Sequence, residues 1–170
     1  MTTISATAAA PSLPLHNVFV YGSLLADEVV SKLLSRVPPC TPAILNGYHR
    51  YNVKGRVYPA ILPAERKKVI GRVIMGVTKA ELCVLDTFED EEYKRSTVEV
   101  FLNGDSGKLS AETYVWADKD DPNLYGEWDF EEWKQLHLKD FLSMTEGFVK
   151  ELEKLDLKTR VAIYEAYYKK

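Results

Sequence analysis

Val18-Phe19-Val20-Tyr21-Gly22-Ser23-Leu24-Leu25 is a β-branched and aromatic run that ends abruptly in Gly-Ser and passes into helical spacing. The pattern marks a strand feeding a tight turn at the mouth of a sheet, with Gly22 relaxing the backbone. A turn of this kind can aim successive N–H groups at one point and so receive a small anion or carboxylate. Short Gly-Ser turns after strands are common, and the other reading is a plain structural turn. The stretch alone leaves both readings open.

A second stretch bears on that choice. Thr78-Lys79-Ala80-Glu81 fits a capping box, with Thr78 as N-cap and Glu81 reaching back to its N–H. The helix it opens runs through Leu82, Leu85, Phe88 and Glu89 and ends near Glu91-Glu92-Tyr93. At helical spacing Leu82, Leu85 and Glu89 share one face, while Asp90 and Glu91 point elsewhere. A carboxyl group on an apolar face must be protonated, paired or useful. Desolvation raises a glutamic acid from about 4.3, and one tuned toward roughly 6–7 suits general acid–base work. The other reading is a frayed helix end from which Glu89 simply reaches water. Glu92, a little further round the same helix, is the weaker rival.

The strand-turn of Val20-Tyr21-Gly22-Ser23-Leu24, followed by Leu85-Asp86-Thr87-Phe88-Glu89-Asp90 and Tyr93-Lys94-Arg95, resembles the gamma-glutamylcyclotransferase-like superfamily. The long run from Trp116 to Trp133, with Tyr125-Gly126-Glu127-Trp128 inside it, resembles the plant avirulence-induced gene 2-like branch. The resemblance covers residues 17–145 and implies a small mixed β-barrel with flanking helices. It implies cyclisation of a gamma-glutamyl amide to 5-oxoproline with release of the amine, without metal or other cofactor. The substrate would be a small gamma-glutamyl amine or peptide. Carried over by residue, the substrate-binding loop falls on Tyr21, Gly22, Ser23, Leu24, Leu25 and Ala26, and the catalytic glutamate on Glu89. One departure follows that glutamate: many relatives have Gly where this chain has Asp90. The rival class is a catalytically silent interaction protein that keeps the fold and pocket.

The whole chain is compatible with that picture. Its 170 residues, 46% hydrophobic, suit one domain with an ample core. A net charge of −3 and a pI near 5.7 offer no broad attraction for nucleic acid or an anionic membrane. No apolar run approaches the ~20 residues that span a bilayer. Residues 1–16 read as a disordered leader without signal-peptide or transit-peptide character, which makes the cytoplasm the default address. Residues 17–145 form the domain, and 146–170 a C-terminal helical extension with a joint near Asp156-Leu157-Lys158-Thr159. Oligomeric state is not readable.

Along the chain, Val29, Val30, Leu33 and Leu34 predict a short helix that stops before Pro38-Pro39. Strands are expected at 43–45, 48–53, 57–62 and 69–77, the third kept at an edge or bulge by Pro59. Val98, Val100 and Leu102, then residues 111–117, predict a hairpin around Asn103-Gly104-Asp105-Ser106-Gly107. A second capping box, Asp129 with Glu132, opens a helix through Phe130, Trp133, Leu136, His137 and Phe141. Helical periodicity resumes through Leu152 and Leu155 toward Tyr164 and Tyr168. Many short strands with few, uneven helices argue an α+β fold.

Other candidates are weaker. Cys40, in an expected loop, and Cys83, in the Glu89 helix, lack metal-ligand spacing and a histidine partner for nucleophilic work. His16, His49 and His137 are scattered. Asp118, Asp120 and Asp121 read as an acidic turn rather than a calcium loop. Tyr125, Trp128 and Trp133 read as core closure more than as a partner surface. Arg56, Arg72 and Arg95 could each meet a substrate carboxylate, and nothing chooses among them.

Overall fold

The computed structural model describes residues 14–102 and 107–154. In chain order these form β1 (His16–Val20), α1 (Asp27–Leu34), β2 (Cys40–Val53), β3 (Ala60–Val77), α2 (Lys79–Glu89), β4 (Tyr93–Leu102), β5 (Lys108–Trp116), β6 (Leu124–Tyr125) and α3 (Phe130–Lys154). Short 3₁₀ turns at Ser23–Leu25 and Asp90–Glu92 follow β1 and α2. The expected leader through residue 13, the hairpin tip at 103–106 and the tail from Leu155, with its joint and tyrosines, lie outside the described residues.

The strands close on themselves in the order β3-β1-β5-β4-β2, with β2 pairing again to β3 and the two-residue β6 added to β2. Closure removes exposed sheet edges. The sheet is mixed because β1 runs parallel to β5, with Val18 opposite Glu112, while the other pairings are antiparallel. The α+β barrel with flanking helices expected from the sequence is therefore the fold.

Strand β1 explains its own sequence. Phe19, and Tyr21 just beyond its end, point into the barrel with Ile61, Val69, Val73 and Val100. Val18 and Val20 point outward beneath the helices, against Val29, Leu82, Leu85 and Trp133. A strand buried on both faces reads as a continuous apolar run. Beside it, a Cβ on Gly71 would lie 2.2 Å from the Val20 carbonyl oxygen, so only glycine lets β3 approach so closely.

Several elements differ from expectation. The two strands predicted at 43–45 and 48–53 are one strand, β2, whose register shifts between Asn46 and Tyr48 around Gly47 at φ 82°. Cys40 begins that strand instead of lying in a loop. The strand predicted from Val57 starts only at Ala60, and Pro59 stands outside the ladder. From there β3 continues through the charged residues Glu65–Lys68, where no alternation signals a strand. The α3 helix runs unbroken across residue 145. Among the described residues no helix is long and apolar enough to cross a membrane.

Candidate active site

The capping box at the start of α2 forms as its sequence requires. The Thr78 hydroxyl accepts from the Glu81 N–H at 3.1 Å, and the Glu81 carboxylate accepts from the Thr78 N–H at 3.0 Å. Leu82 and Leu85 are buried, which fixes the rotation of the helix and carries Glu89, its last residue, onto the same face. Phe88 is directed to α3, with ring centroids 6.0 Å from Phe141 and 5.2 Å from Phe148.

Two adjoining cavities meet at Glu89. The inner one, about 30 Å³, is lined by Tyr21, Gly22, Ser23, Leu24, Tyr114 and Glu89 among others. The outer one, about 240 Å³, runs past Phe88, Asp90, Glu92, Phe141, Met144 and Phe148. Ser23, Tyr58, Glu89 and Tyr93 belong to both walls. The strand-turn and the glutamate singled out in the sequence thus converge on one cleft. Leu25 and Ala26 do not line it: their N–H groups close the turn by donating to the Gly22 and Ser23 carbonyls at 2.9 and 3.0 Å.

The turn is clamped from its carbonyl side. Arg50 donates to the Tyr21 carbonyl at 2.8 Å, and Arg72 to the Leu24 carbonyl at 2.8 Å. The Tyr21 hydroxyl donates to the Tyr114 carbonyl. Among the described residues the N–H groups of Gly22, Ser23 and Leu24 donate to no backbone carbonyl outside regular elements. They remain available as donors. A Cβ on Gly22 would lie 2.9 Å from the Pro59 ring, so a larger residue would crowd the cleft wall.

Glu89 differs electrostatically from its acidic neighbours. Asp86 accepts from Arg95 at 2.7 Å and from the Tyr114 hydroxyl at 2.6 Å. Glu92 accepts from Arg56 at 2.8 Å and from the Tyr58 hydroxyl at 2.5 Å. Among the described residues Glu89 has no hydrogen-bond or ion-pair partner. Its side chain keeps a share of open surface toward the cleft, yet protein atoms crowd the carboxyl. Burial, then the nearby carboxyl groups of Asp86 and Glu92, push its pKa from 4.5 up to about 8. Its place at the negative end of α2 acts in the same direction. The frayed-end reading of Glu89 does not hold, and Glu92 is already engaged by protein partners.

The three arginines weighed as carboxylate receptors are engaged elsewhere. Arg56 holds Glu92, Arg72 holds Asp27 at 2.7 Å, and Arg95 holds Asp86. Asp118 and Asp121 accept from the backbone N–H groups of Asp120 and Asn123, which makes them turn residues. Trp128 and Trp133 are buried, but Tyr125 is 51% exposed and closes no core. Sequence reasoning missed Arg50, Tyr58 and Tyr114, and gave Tyr93 no role beyond its place in Tyr93-Lys94-Arg95. No motif marks their convergence, because they come from four separate strands and loops.

A family model described as "Gamma-glutamyl cyclotransferase, AIG2-like" matches residues 18–135. The chain belongs to that family. AIG2-like protein D of Arabidopsis thaliana is 58% identical over 142 residues, covering 83% of this chain and 93% of the relative. A solution structure of another Arabidopsis thaliana protein superposes with a TM-score of 0.65 at 45% identity, covering 86% of this chain and 98% of that one. A structure titled "Gamma-glutamyl cyclotransferase" shares the fold at a TM-score of 0.55 and 16% identity, over 88% and 86% of the two chains. In this AIG2-like chain the cleft is built largely on family elements, since α2, β4 and β1 from Val18 onward lie within the matched residues.

Asp90 accounts for the departure noted after the glutamate. It adopts φ 61° and ψ −162°, a region occupied almost only by glycine. Asp90→Gly is expected to raise stability by about 1 kcal/mol; a lower denaturant midpoint in the variant would contradict this. Glu89 supplies a second expectation with a defined sign. Between pH 4.5 and 8 the folded state holds a proton on Glu89 that the unfolded chain releases, so this group's contribution to stability falls as pH rises. Glu89→Gln lacks that loss. Its stability relative to the unsubstituted chain should grow by up to about 1.4 kcal/mol per pH unit across this window, then level off. A difference independent of pH would show that Glu89 titrates normally.

Proposed function

We propose that the protein is a cyclotransferase that converts a gamma-glutamyl amide into 5-oxoproline and a free amine, with Glu89 as general acid and base. The observation that carries this reading is the unpartnered, desolvated Glu89 carboxyl in one narrow cleft with the Gly22 turn, whose Gly22, Ser23 and Leu24 N–H groups donate, among the described residues, to no backbone carbonyl outside regular elements.

In a gamma-glutamyl amide the α-amine can reach the γ-carbonyl carbon and close a five-membered ring. Holding those atoms together removes translational and rotational freedom from the barrier. Tyr21, Gly22, Ser23 and Leu24 would bind the glutamyl head group, with their backbone N–H groups donating to it and to the oxyanion that develops on the γ-oxygen. Glu89 in its carboxylate form takes the proton from the attacking amine as the new C–N bond forms. As the tetrahedral intermediate collapses, the original amide C–N bond breaks and Glu89 returns that proton to the departing amine. A proton affinity near 8 suits both halves, because the donor and acceptor forms are then close in free energy at neutral pH. Leu25 and Ala26 support the turn from behind. The departing amine would extend into the outer cavity between Phe88, Phe141 and Met144.

Release of 5-oxoproline from a panel of gamma-glutamyl amines and peptides tests the proposal. The unsubstituted chain should turn over at least one member, and Glu89→Gln should bind it with turnover reduced roughly 10²–10⁴-fold. Equal turnover by both proteins would remove Glu89 from the mechanism. Silence of both across the panel, with both folded, would favour the interaction-protein alternative.

A further inference from the structure

A third cavity, about 210 Å³, shares no lining residue with the cleft and is walled chiefly by His49, Arg50, Arg66, Lys67, Lys68 and Glu127. It gathers four cationic side chains against one carboxylate in a chain whose net charge is −3. The backbone assembles this wall by a specific device. Pairing between β2 and β3 steps from Asn46–Lys68 to Tyr48–Pro63, so the segment between Pro63 and Lys68 projects from the ladder. Arg66, at φ 65°, takes a left-handed conformation in that projection.

The cations are not matched by the protein's own acids. Among the described residues Arg66, Lys67 and Lys68 make no ion pair. Arg50 spends its hydrogen bonds on neutral carbonyls, those of Tyr21 at 2.8 Å and Ile70 at 3.1 Å, and lies over the Trp128 ring at 5.4 Å. Its Nε is buried without a partner. Glu127 and Asp129 act on this guanidinium only through space. Like charges drawn into one concavity repel one another until an anion joins them.

We propose that this cavity receives a phosphate group carried on a small molecule, with Arg66, Lys67 and Lys68 meeting its oxygens and Arg50 beneath them. One guanidinium satisfies a carboxylate. A phosphate ester, carrying close to two charges and three acceptor oxygens, uses the several donors present here. The proposal does not rest on the chemistry proposed for the cleft, although Arg50 joins the two by clamping the Tyr21 carbonyl.

Glycerol phosphate and inorganic phosphate, titrated into the full chain at constant ionic strength and followed through backbone amide resonances, test the assignment. Glycerol phosphate should shift the amides of Arg50, Lys67 and Lys68 saturably. The exposed double substitution Lys67→Ala/Lys68→Ala should raise its dissociation constant at least tenfold, whereas Lys139→Ala on α3 should leave it unchanged. Equal affinity in the double variant overturns the site. So does a response matched by sodium chloride alone. Binding of inorganic phosphate to the exclusion of glycerol phosphate overturns the assignment to a phosphate ester.

Discussion

Strand β1 must be buried on both faces, and the rest of the molecule is arranged around that requirement. Its inward residue Phe19 needs a closed barrel, and its outward residues Val18 and Val20 need helices laid over the sheet. Burial of such side chains stabilises by roughly 1.5–3 kcal/mol each. Those same helices include α2, so the packing that covers β1 also carries the last residue of α2 to the turn where β1 ends. Convergence of Glu89 and Gly22 is thus a by-product of covering one strand. The parallel pairing with β5 places the Tyr114 carbonyl where the Tyr21 hydroxyl reaches it.

Within the cleft, the acids are distinguished by their partners and not by their number. Asp86 and Glu92 each have a guanidinium and a tyrosine hydroxyl, so their orientations are held. They flank Glu89, which has neither, and their nearness adds to the cost of ionising it. Three acidic residues thereby produce one group of near-neutral proton affinity, the condition under which a carboxyl both takes and returns a proton. The glycine-like backbone of Asp90 stores strain beside this group. Arg50 and Arg72 complete the arrangement by clamping the Tyr21 and Leu24 carbonyls of the opposite turn.

Much of this was legible in the sequence, for identifiable reasons. The apolar run of β1, the capping box of α2 and the spacing of Leu82, Leu85 and Glu89 are local patterns, and local patterns survive into the fold. What spacing could not decide was whether Glu89 reaches water or stays enclosed, because that depends on Tyr93 and Tyr114 arriving from other strands. The charged segment Glu65–Lys68 was illegible as part of β3, since its side chains face solvent and its pairing is interrupted. Pro59 was misread for a related reason: its ring stands 2.9 Å from where a Cβ on Gly22 would lie, a proximity of distant residues that no periodicity records. The basic cavity likewise unites residues from β2, β3 and the segment before α3.

The claim on which this account rests is that the Glu89 carboxyl is held as an acid of near-neutral strength. Its titration by carbon-13 NMR of the glutamate side-chain carboxyls, assigned with Glu89→Gln, measures that directly. The expected midpoint lies near pH 8, set by burial and by the flanking Asp86 and Glu92. A midpoint near 4.5, the ordinary value, would contradict it and leave the cleft without an acid–base group.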